Sequence, residues 1–324
     1  MTGKLYGTLG PACADTDTLR ALLRAGMRGV RLNLSHGPLE ERAPWLESLR
    51  RAETAEGVSC ELLIDLQGPE LRIGTLPQPL VLEPGQSLRL GQGGVPCPAA
   101  LVHAARPGQN LLLDDGRLLV QVAEADGAAL QCTVVRGGTL QSRKSLAAPG
   151  LTVASPTLTE EDLQNLQLAG ACGVTGVMLP FVRGAEDIRT LRRALEQAGA
   201  GQIRIFAKIE NLAGVQALPE FLPLVDEVVI ARGDLGNAMP LWELPRCQKQ
   251  LSAVCRSAGG PFMVVTQMLD SMCSRAVPTR AEVSDIYNAV ADGASSVMLT
   301  GETAAGQYPV QAMEYLVRTA RKAM

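Results

Sequence analysis

Aromatic residues make up only 3% of this 324-residue chain, and its lysines and arginines form no block; the formal net charge is -3 and the pI about 5.6. A nucleic-acid partner would call for a basic footprint and stacking platforms, so this composition points away from one. Eight cysteines (Cys13, Cys60, Cys97, Cys132, Cys172, Cys247, Cys255 and Cys273) include no C-x-x-C pair and lie mostly in apolar runs. They read as small core residues in a reducing compartment, which excludes a zinc ribbon and a disulfide framework. The opening residues Met1-Thr2-Gly3-Lys4-Leu5-Tyr6-Gly7 lack the apolar stretch of a signal peptide, and no uninterrupted apolar run approaches membrane-spanning length. The expected location is cytoplasmic, without membrane contact. Neither a G-x-x-x-x-G-K-[S/T] loop nor a strand-linked G-x-G-x-x-G occurs, so no phosphate-cradling loop of either type is present to signal a nucleotide.

What the chain does have is hydrophobic content, 46%, enough for a large core. Short apolar segments alternate with amphipathic ones, as in parallel βα units. Eight strand candidates stand out: Lys4–Gly10, Gly29–Ser35, Cys60–Leu66, Gly176–Phe181, Arg204–Glu210, Glu227–Ala231, Phe262–Met268 and Ser296–Glu302. The expectation is an α/β fold, a closed (β/α)8 TIM barrel. Leu19, Leu22 and Leu23 at helical spacing predict a helix from Thr16 to Ala25, stopped by Gly26. Thr159-Glu160-Glu161-Asp162 resembles a capping box opening a helix with Leu163, Leu166 and Leu168. Between Gly74 and Gly150 the rhythm changes to Gly- and Pro-rich sequence. Strand-like pieces Leu111–Leu113, Leu118–Val122 and Leu130–Val135 are separated there by turns such as Asp115-Gly116 and Asp126-Gly127. A small all-β domain inserted after the third strand, a natural lid, is expected at 74–150, with the barrel made of 1–73 and 151–324.

Chemistry concentrates in Lys208-Ile209-Glu210-Asn211 and Ala231-Arg232-Gly233-Asp234-Leu235-Gly236. Two residues apart on an extended chain, Lys208 and Glu210 point the same way. Val228-Val229-Ile230-Ala231 is a buried-strand run ending in a glycine turn that carries Asp234. Glu210 and Asp234 can share one divalent ion while Lys208 faces a bound anion, and a helix starting after that turn would offer free N–H groups to a carboxylate. Either run alone fits equally well a surface charge pair beside two core strands.

Taken together, these runs resemble the pyruvate kinase family. The resemblance extends through Thr8-Leu9-Gly10-Pro11-Ala12, Arg31-Leu32-Asn33-Leu34-Ser35-His36-Gly37, Asp65 with Gly68-Pro69-Glu70-Leu71-Arg72, Thr266-Gln267-Met268-Leu269, Pro278-Thr279-Arg280-Ala281-Glu282 and Thr300-Gly301-Glu302-Thr303-Ala304. These runs follow the family's order over nearly the whole chain. The insert matches through Leu112-Leu113-Asp114-Asp115-Gly116, Gly137-Gly138-Thr139-Leu140 and Arg143-Lys144. The family's C-terminal regulatory domain has no counterpart before Met324, which suggests a short form.

The resemblance implies phosphoryl transfer between phosphoenolpyruvate and ADP, giving pyruvate and ATP. Arg31 and Lys208 would bind the phosphoryl group, with Glu210 and Asp234 holding Mg²⁺ or Mn²⁺. Gly233, Asp234 and Thr266 would meet the substrate, Thr266 on the protonation route. Asn33, Ser35, Asp65 and the Leu66 carbonyl would hold K⁺, and Glu70 is the residue found in potassium-requiring members. Arg72, His36 and Lys144 would lie near nucleotide phosphates, with Asp114 or Asp115 contributed by the insert. Without the resemblance, Thr266 would read as structural and His36 equally well as a polar loop residue. A homodimer through the barrel is the expected assembly.

Three residues depart from the family: Gln67 stands where lysine is usual, Pro180 where serine precedes Phe181, and Ala238 where glutamate follows the Asp-Leu-Gly turn. One cation fewer weakens phosphate stabilisation. Two other readings therefore stay open. One is a metal-dependent lyase or decarboxylase acting on a 2-oxo acid such as oxaloacetate. The other is a non-catalytic ligand-binding paralogue.

Overall fold

The computed structural model describes residues 3–151 and 155–323. Met1, Thr2, residues 152–154 and Met324, which the segments 1–73 and 151–324 include, lie outside the described residues. The described chain forms two compact units, one of residues 3–68, 157–232 and 245–323, the other of Pro69–Pro156 with Gly233–Leu244.

In chain order the first unit begins β1 (Lys4–Thr8), α1 (Thr16–Ala25), β2 (Gly29–Asn33), α2 (Ala43–Glu56) and β3 (Glu61–Asp65). The second unit supplies β4 (Leu80–Leu82), β5 (Ser87–Gly91), α3 (Ala99–Ala104), β6 (Asn110–Leu113), β7 (Leu118–Ala125), β8 (Ala129–Arg136), β9 (Gly138–Leu140) and β10 (Leu146–Ala147). The chain continues with α4 (Glu160–Ala169), β11 (Gly176–Leu179), α5 (Ala185–Gln197), β12 (Arg204–Ile209), α6 (Leu212–Phe221) and β13 (Glu227–Ala231). Last come α7 (Arg232–Ala238), α8 (Leu244–Ser257), β14 (Phe262–Val265), α9 (Arg280–Ala291), β15 (Ser296–Leu299), α10 (Gly301–Ala304) and α11 (Pro309–Ala323).

The first unit is a closed parallel barrel in the order β1-β15-β14-β13-β12-β11-β3-β2, the expected (β/α)8 architecture. Alternate residues face inward. The middle of the interior is filled by Tyr6, Leu63, Met178, Phe206, Val229, Met263 and Met298, all buried. Gly29 and Gly176 make room for the two rings: a Cβ would lie 2.1 Å from the Tyr6 ring at Gly29 and 2.5 Å from that of Phe206 at Gly176. The same parity places Lys4, Glu61, Arg204, Glu227 and Ser296 at the N-terminal end of the strands, and Thr8, Arg31, Asp65 and Lys208 at the C-terminal end.

Except for Glu227–Ala231, every barrel strand ends one to three residues short of its expected limit. In two of them, β11 and β14, backbone conformation rather than hydrophobicity sets the end. Phe181, Thr266 and Gln267 have φ of 53°, 75° and 55°, left-handed values that no strand continues through. Helix α1 has the expected limits and buries Leu19, Leu22 and Leu23. Its cap Asp15 accepts from Thr18 N–H, and Gly26 closes it at φ 120°. In α4 the Thr159–Asp162 capping box forms, but the buried face differs from the expected one. Leu163 and Leu168 are exposed, whereas Asp162, Asn165 and Leu166 are buried. Hydrogen bonding chose that face: Asn165 Oδ1 accepts from Leu39 N–H at 2.8 Å, and Asp162 is fully engaged. The glycine turn expected to carry Asp234 is instead helix, because α7 starts at Arg232 directly after β13.

In the second unit β10-β6-β7-β8-β5 form one antiparallel sheet and β4-β9 another. Asp126 accepts from Ala128 and Ala129 N–H and turns β7 into β8. The all-β expectation missed the six-residue α3, which buries Leu101 and Val102; a helix this short gives too little periodicity to read.

Candidate active site

At the C-terminal end of β2, β3 and β12, four charged side chains converge inside the first unit. Asp65, the last residue of β3, is buried; its Oδ2 accepts from Arg31 Nη2 at 2.6 Å and Nε at 3.0 Å. Lys208 Nζ lies 3.2 Å from Asp65 Oδ1, 3.1 Å from Oδ2 and 2.9 Å from Glu210 Oε1. Burial opposes the charge on Lys208, but the Asp65 and Glu210 carboxylates outweigh it and raise its pKa. Burial likewise works against an ionised Asp65, and Lys208 and Arg31 overcome it, holding the carboxyl below its ordinary value. Lys208 is thus a permanent cation and Asp65 a permanent anion at neutral pH.

Glu210 follows the last residue of β12 and is buried. Its Oε2 accepts from Phe181 N–H at 2.8 Å, a donor aimed by the left-handed φ of 53°. Each carboxylate oxygen can accept about two contacts. With Phe181 on one oxygen and Lys208 on the other, each keeps a lone pair for a hard cation. Among the described residues no group of three or more His, Cys, Asp or Glu side chains forms a ready metal cage. That is compatible with Mg²⁺, which commonly takes one or two carboxylates plus substrate oxygens and water.

Asn33 and Asp65 are register partners at the ends of β2 and β3, and Asn33 Oδ1 accepts from Ser35 N–H at 3.2 Å. Leu66 follows directly, its N–H donating to Met178 O at 3.1 Å. Asn33, Ser35, Asp65 and the Leu66 carbonyl thus each offer an oxygen from two short stretches, and among the described residues Asp65 Oδ1 has the single partner Lys208. This donor set fits a monovalent cation. His36 closes the single turn after β2, where its carbonyl accepts from Arg42.

Thr266 sits just past β14 at φ 75°, an unfavourable conformation for a β-branched residue. Its carbonyl accepts from Arg232 Nη2 at 2.7 Å and Nε at 3.2 Å, and Arg232 Nη1 is 2.6 Å from Asp285. Sequence reading assigned no role to Arg232, to the Phe181 amide or to Glu302. Glu302 is buried and accepts from Leu269 and Thr300 N–H. A charged residue one to three positions past an apolar strand was the available signal in Arg232 and Glu302; a backbone amide leaves none.

In the second unit, Lys144 Nζ lies 2.8 Å from Asp114 Oδ1, and Ser145 Oγ donates to Asp115 Oδ1 at 2.6 Å. Arg72 is 2.7 Å from Glu70 and donates to Arg143 O at 2.9 Å, with Arg72 and Ser145 bridged by backbone. Four of the expected nucleotide residues (Arg72, Asp114, Asp115 and Lys144) therefore gather around one strand junction. Gly233 and Asp234 also belong to this unit, in the first turn of α7. Of the three departures from the family pattern, Pro180 packs on Gly68, where a Cβ would lie 2.5 Å from its Cγ. Gln67 donates its backbone N–H to Asp162, and Ala238 ends α7.

A closed parallel barrel with paired cations and carboxylates at the C-terminal ends of its strands is the architecture of a (β/α)8-barrel enzyme. The chain belongs to the pyruvate kinase family: residues 2–313 match that family's barrel domain. It is 39% identical to a pyruvate kinase of Chlamydia pneumoniae over 322 residues, covering 97% of this chain and 66% of the relative. A pyruvate kinase of Aeropyrum pernix is 38% identical, with 99% and 70% covered. Among solved structures, a pyruvate kinase from Cryptosporidium parvum superposes with a TM-score of 0.92 at 33% identity, over 99% of this chain and 69% of that one. The chain spans about two thirds of the length of these relatives. Among the described residues no helix is long and apolar enough to cross a membrane.

Proposed function

We propose that the chain transfers a phosphoryl group between phosphoenolpyruvate and ADP, giving pyruvate and ATP, and does so in the cytoplasm. The observation that carries this is the Arg31–Asp65–Lys208–Glu210 constellation, two cations held by buried carboxylates at the end of a barrel. Phosphoryl transfer passes through a loose transition state, so a protein contributes chiefly positioning and charge neutralisation. Arg31 and Lys208 bind the transferring phosphoryl group, Lys208 at its equatorial oxygens, and their carboxylate partners fix the two cations before substrate arrives. Glu210 and Asp234 hold Mg²⁺ or Mn²⁺; when bound, such an ion polarises the phosphoryl oxygens as a Lewis acid. Asn33, Ser35, Asp65 and Leu66 hold K⁺. Gly233 offers its amide to the substrate carboxylate, and Thr266, its backbone fixed by Arg232, lies on the route of the proton that reaches the enol carbon. Arg72, His36, Lys144 and Asp115 serve the nucleotide, and a homodimer through the barrel is the assembly.

A coupled assay with phosphoenolpyruvate, ADP, Mg²⁺ and K⁺ tests this. ADP-dependent pyruvate supports the reading; oxaloacetate consumed without ADP, or no turnover of either, refutes it.

A further inference from the structure

Asp162 has more bonds than a helix cap requires. In a capping box the third helical residue reaches back to one backbone N–H, and Asp162 Oδ2 does so at Thr159, 2.9 Å away. The same carboxylate also accepts from Gln67 N–H at 2.8 Å through Oδ1 and from Gly68 N–H at 3.0 Å through Oδ2. Its side chain is fully buried. The chain leaves the first unit after Gly68 and returns at Thr157, so one side chain binds the outgoing and the returning backbone together.

We propose that Asp162 is a positioning residue, a clamp that sets the backbone immediately beyond Asp65 and Leu66 by joining the two stretches that bracket the segment Pro69–Pro156. Strand pairing ends at Leu66, whose N–H donates to Met178 O; the next two amides donate to Asp162. Gly68 reaches the carboxylate at φ 58° with Pro180 against its α-carbon, a conformation and a clearance open to glycine. A second carboxylate secures the return: Thr157 Oγ1 donates to Asp187 Oδ1 at 2.5 Å, and Arg183 grips Asp187 through its backbone N–H, Nε and Nη2. The catalytic consequence rests on the proposed phosphoryl transfer: when the clamp loosens, Leu66 and its neighbours no longer present their oxygens in one arrangement, and substrate binding weakens.

Two variants separate the clamp from the cap. Asp162→Asn keeps the shape but turns an N–H donor toward one of the two loop amides. Thr159→Ala removes a helix-cap bond and leaves the Gln67 and Gly68 bonds in place. In D162N, amide hydrogen exchange at Gln67 and Gly68 should speed up about tenfold or more, the equivalent of one charge-assisted hydrogen bond, and KM should rise more than kcat falls. T159A should lower Tm while leaving exchange at Gln67 and Gly68, and KM, as in the unaltered protein. Equal exchange and equal KM in the two variants would reduce Asp162 to a cap and overturn the proposal. Should D162N not fold, the unaltered protein still decides. Gln67 and Gly68 amides must be protected as strongly as those of β3, although they lie outside the strand, and fast exchange there overturns the clamp. If the unaltered protein shows no phosphoryl transfer, the functional reading falls while the exchange comparison still decides the clamp.

Discussion

Lys208 holds two buried carboxylates at once, and the consequences of removing it can be worked out in sign. Lys208→Met should abolish phosphoryl transfer. It should also cost about 3–5 kcal/mol of stability, because Asp65 and Glu210 lose a buried partner. Asp65 has a depressed folded pKa, so it contributes stability that is complete above its unfolded value near 3.8 and lost as pH falls through the folded value. Without Lys208 that folded value rises toward the unfolded one. Thermal melts against pH should therefore show the acid limb of K208M displaced to higher pH, and an unmoved limb would contradict the ion pair. Thr266 gives a second test at this scale. Its left-handed φ is held by Arg232, so Arg232→Lys, which forfeits the forked donor, should lower kcat severalfold with a smaller change in KM, read by steady-state kinetics.

At the scale of elements, the N-terminal ends of the barrel strands carry a charged layer opposite the candidate site. Glu61 is bound by Lys4, Tyr6 and Arg204, while among the described residues Glu227 Oε1 accepts only from Ser295 and Ser296 hydroxyls, at 2.8 and 2.5 Å. Burial dominates at Glu227 and raises its pKa. A carboxyl with a raised folded pKa contributes stability below its unfolded value near 4.5 and loses it as pH climbs through the folded one. Glu227→Gln should therefore melt higher than the unaltered protein at neutral pH, with the gap closing toward pH 4.5; a gap that widens on acidification would rule this out. In the layer above, Gly176→Ala drives a methyl to 2.5 Å from the Phe206 ring and 2.6 Å from Leu63 Cδ2. Denaturant unfolding should show a loss of about 1–3 kcal/mol, as for overpacked cores. Strands were legible because β-branched and apolar runs alternate with amphipathic helices. Their ends were not: Phe181, Thr266 and Gln267 stop strands through φ values that residue type disfavours and tertiary contacts impose.

Across the whole molecule, thiol chemistry checks the packing. Cys13, Cys60, Cys132, Cys247 and Cys255 are buried, with burial pushing Cys13 and Cys255 up to about 11 and Cys60 and Cys132 up to about 12. Native alkylation at neutral pH should reach at most the three partly exposed thiols, Cys97, Cys172 and Cys273, and all eight only after denaturation, counted by mass. More than three labelled natively would mean that a core opens, that of the second unit if Cys132 reacts and that of the barrel if Cys13, Cys60, Cys247 or Cys255 does.

The order of apolar strands and amphipathic helices, a property of side-chain period, determined by itself that this chain closes a (β/α)8 barrel. The placement of Lys208 and Glu210 on one face also followed from sequence, since a period of two is fixed by the extended backbone. Tertiary structure alone decided which partner each charge takes. Asp65 lies 143 residues from Lys208, and only closure of the β3-β11-β12 part of the barrel brings them to 3.1 Å. It decided also that Asp162, legible as a helix cap, reaches Gln67 and Gly68 about 94 residues away. A backbone amide has no side chain to announce it, so the acceptors that hold a loop in place become visible only once the chain has folded around them.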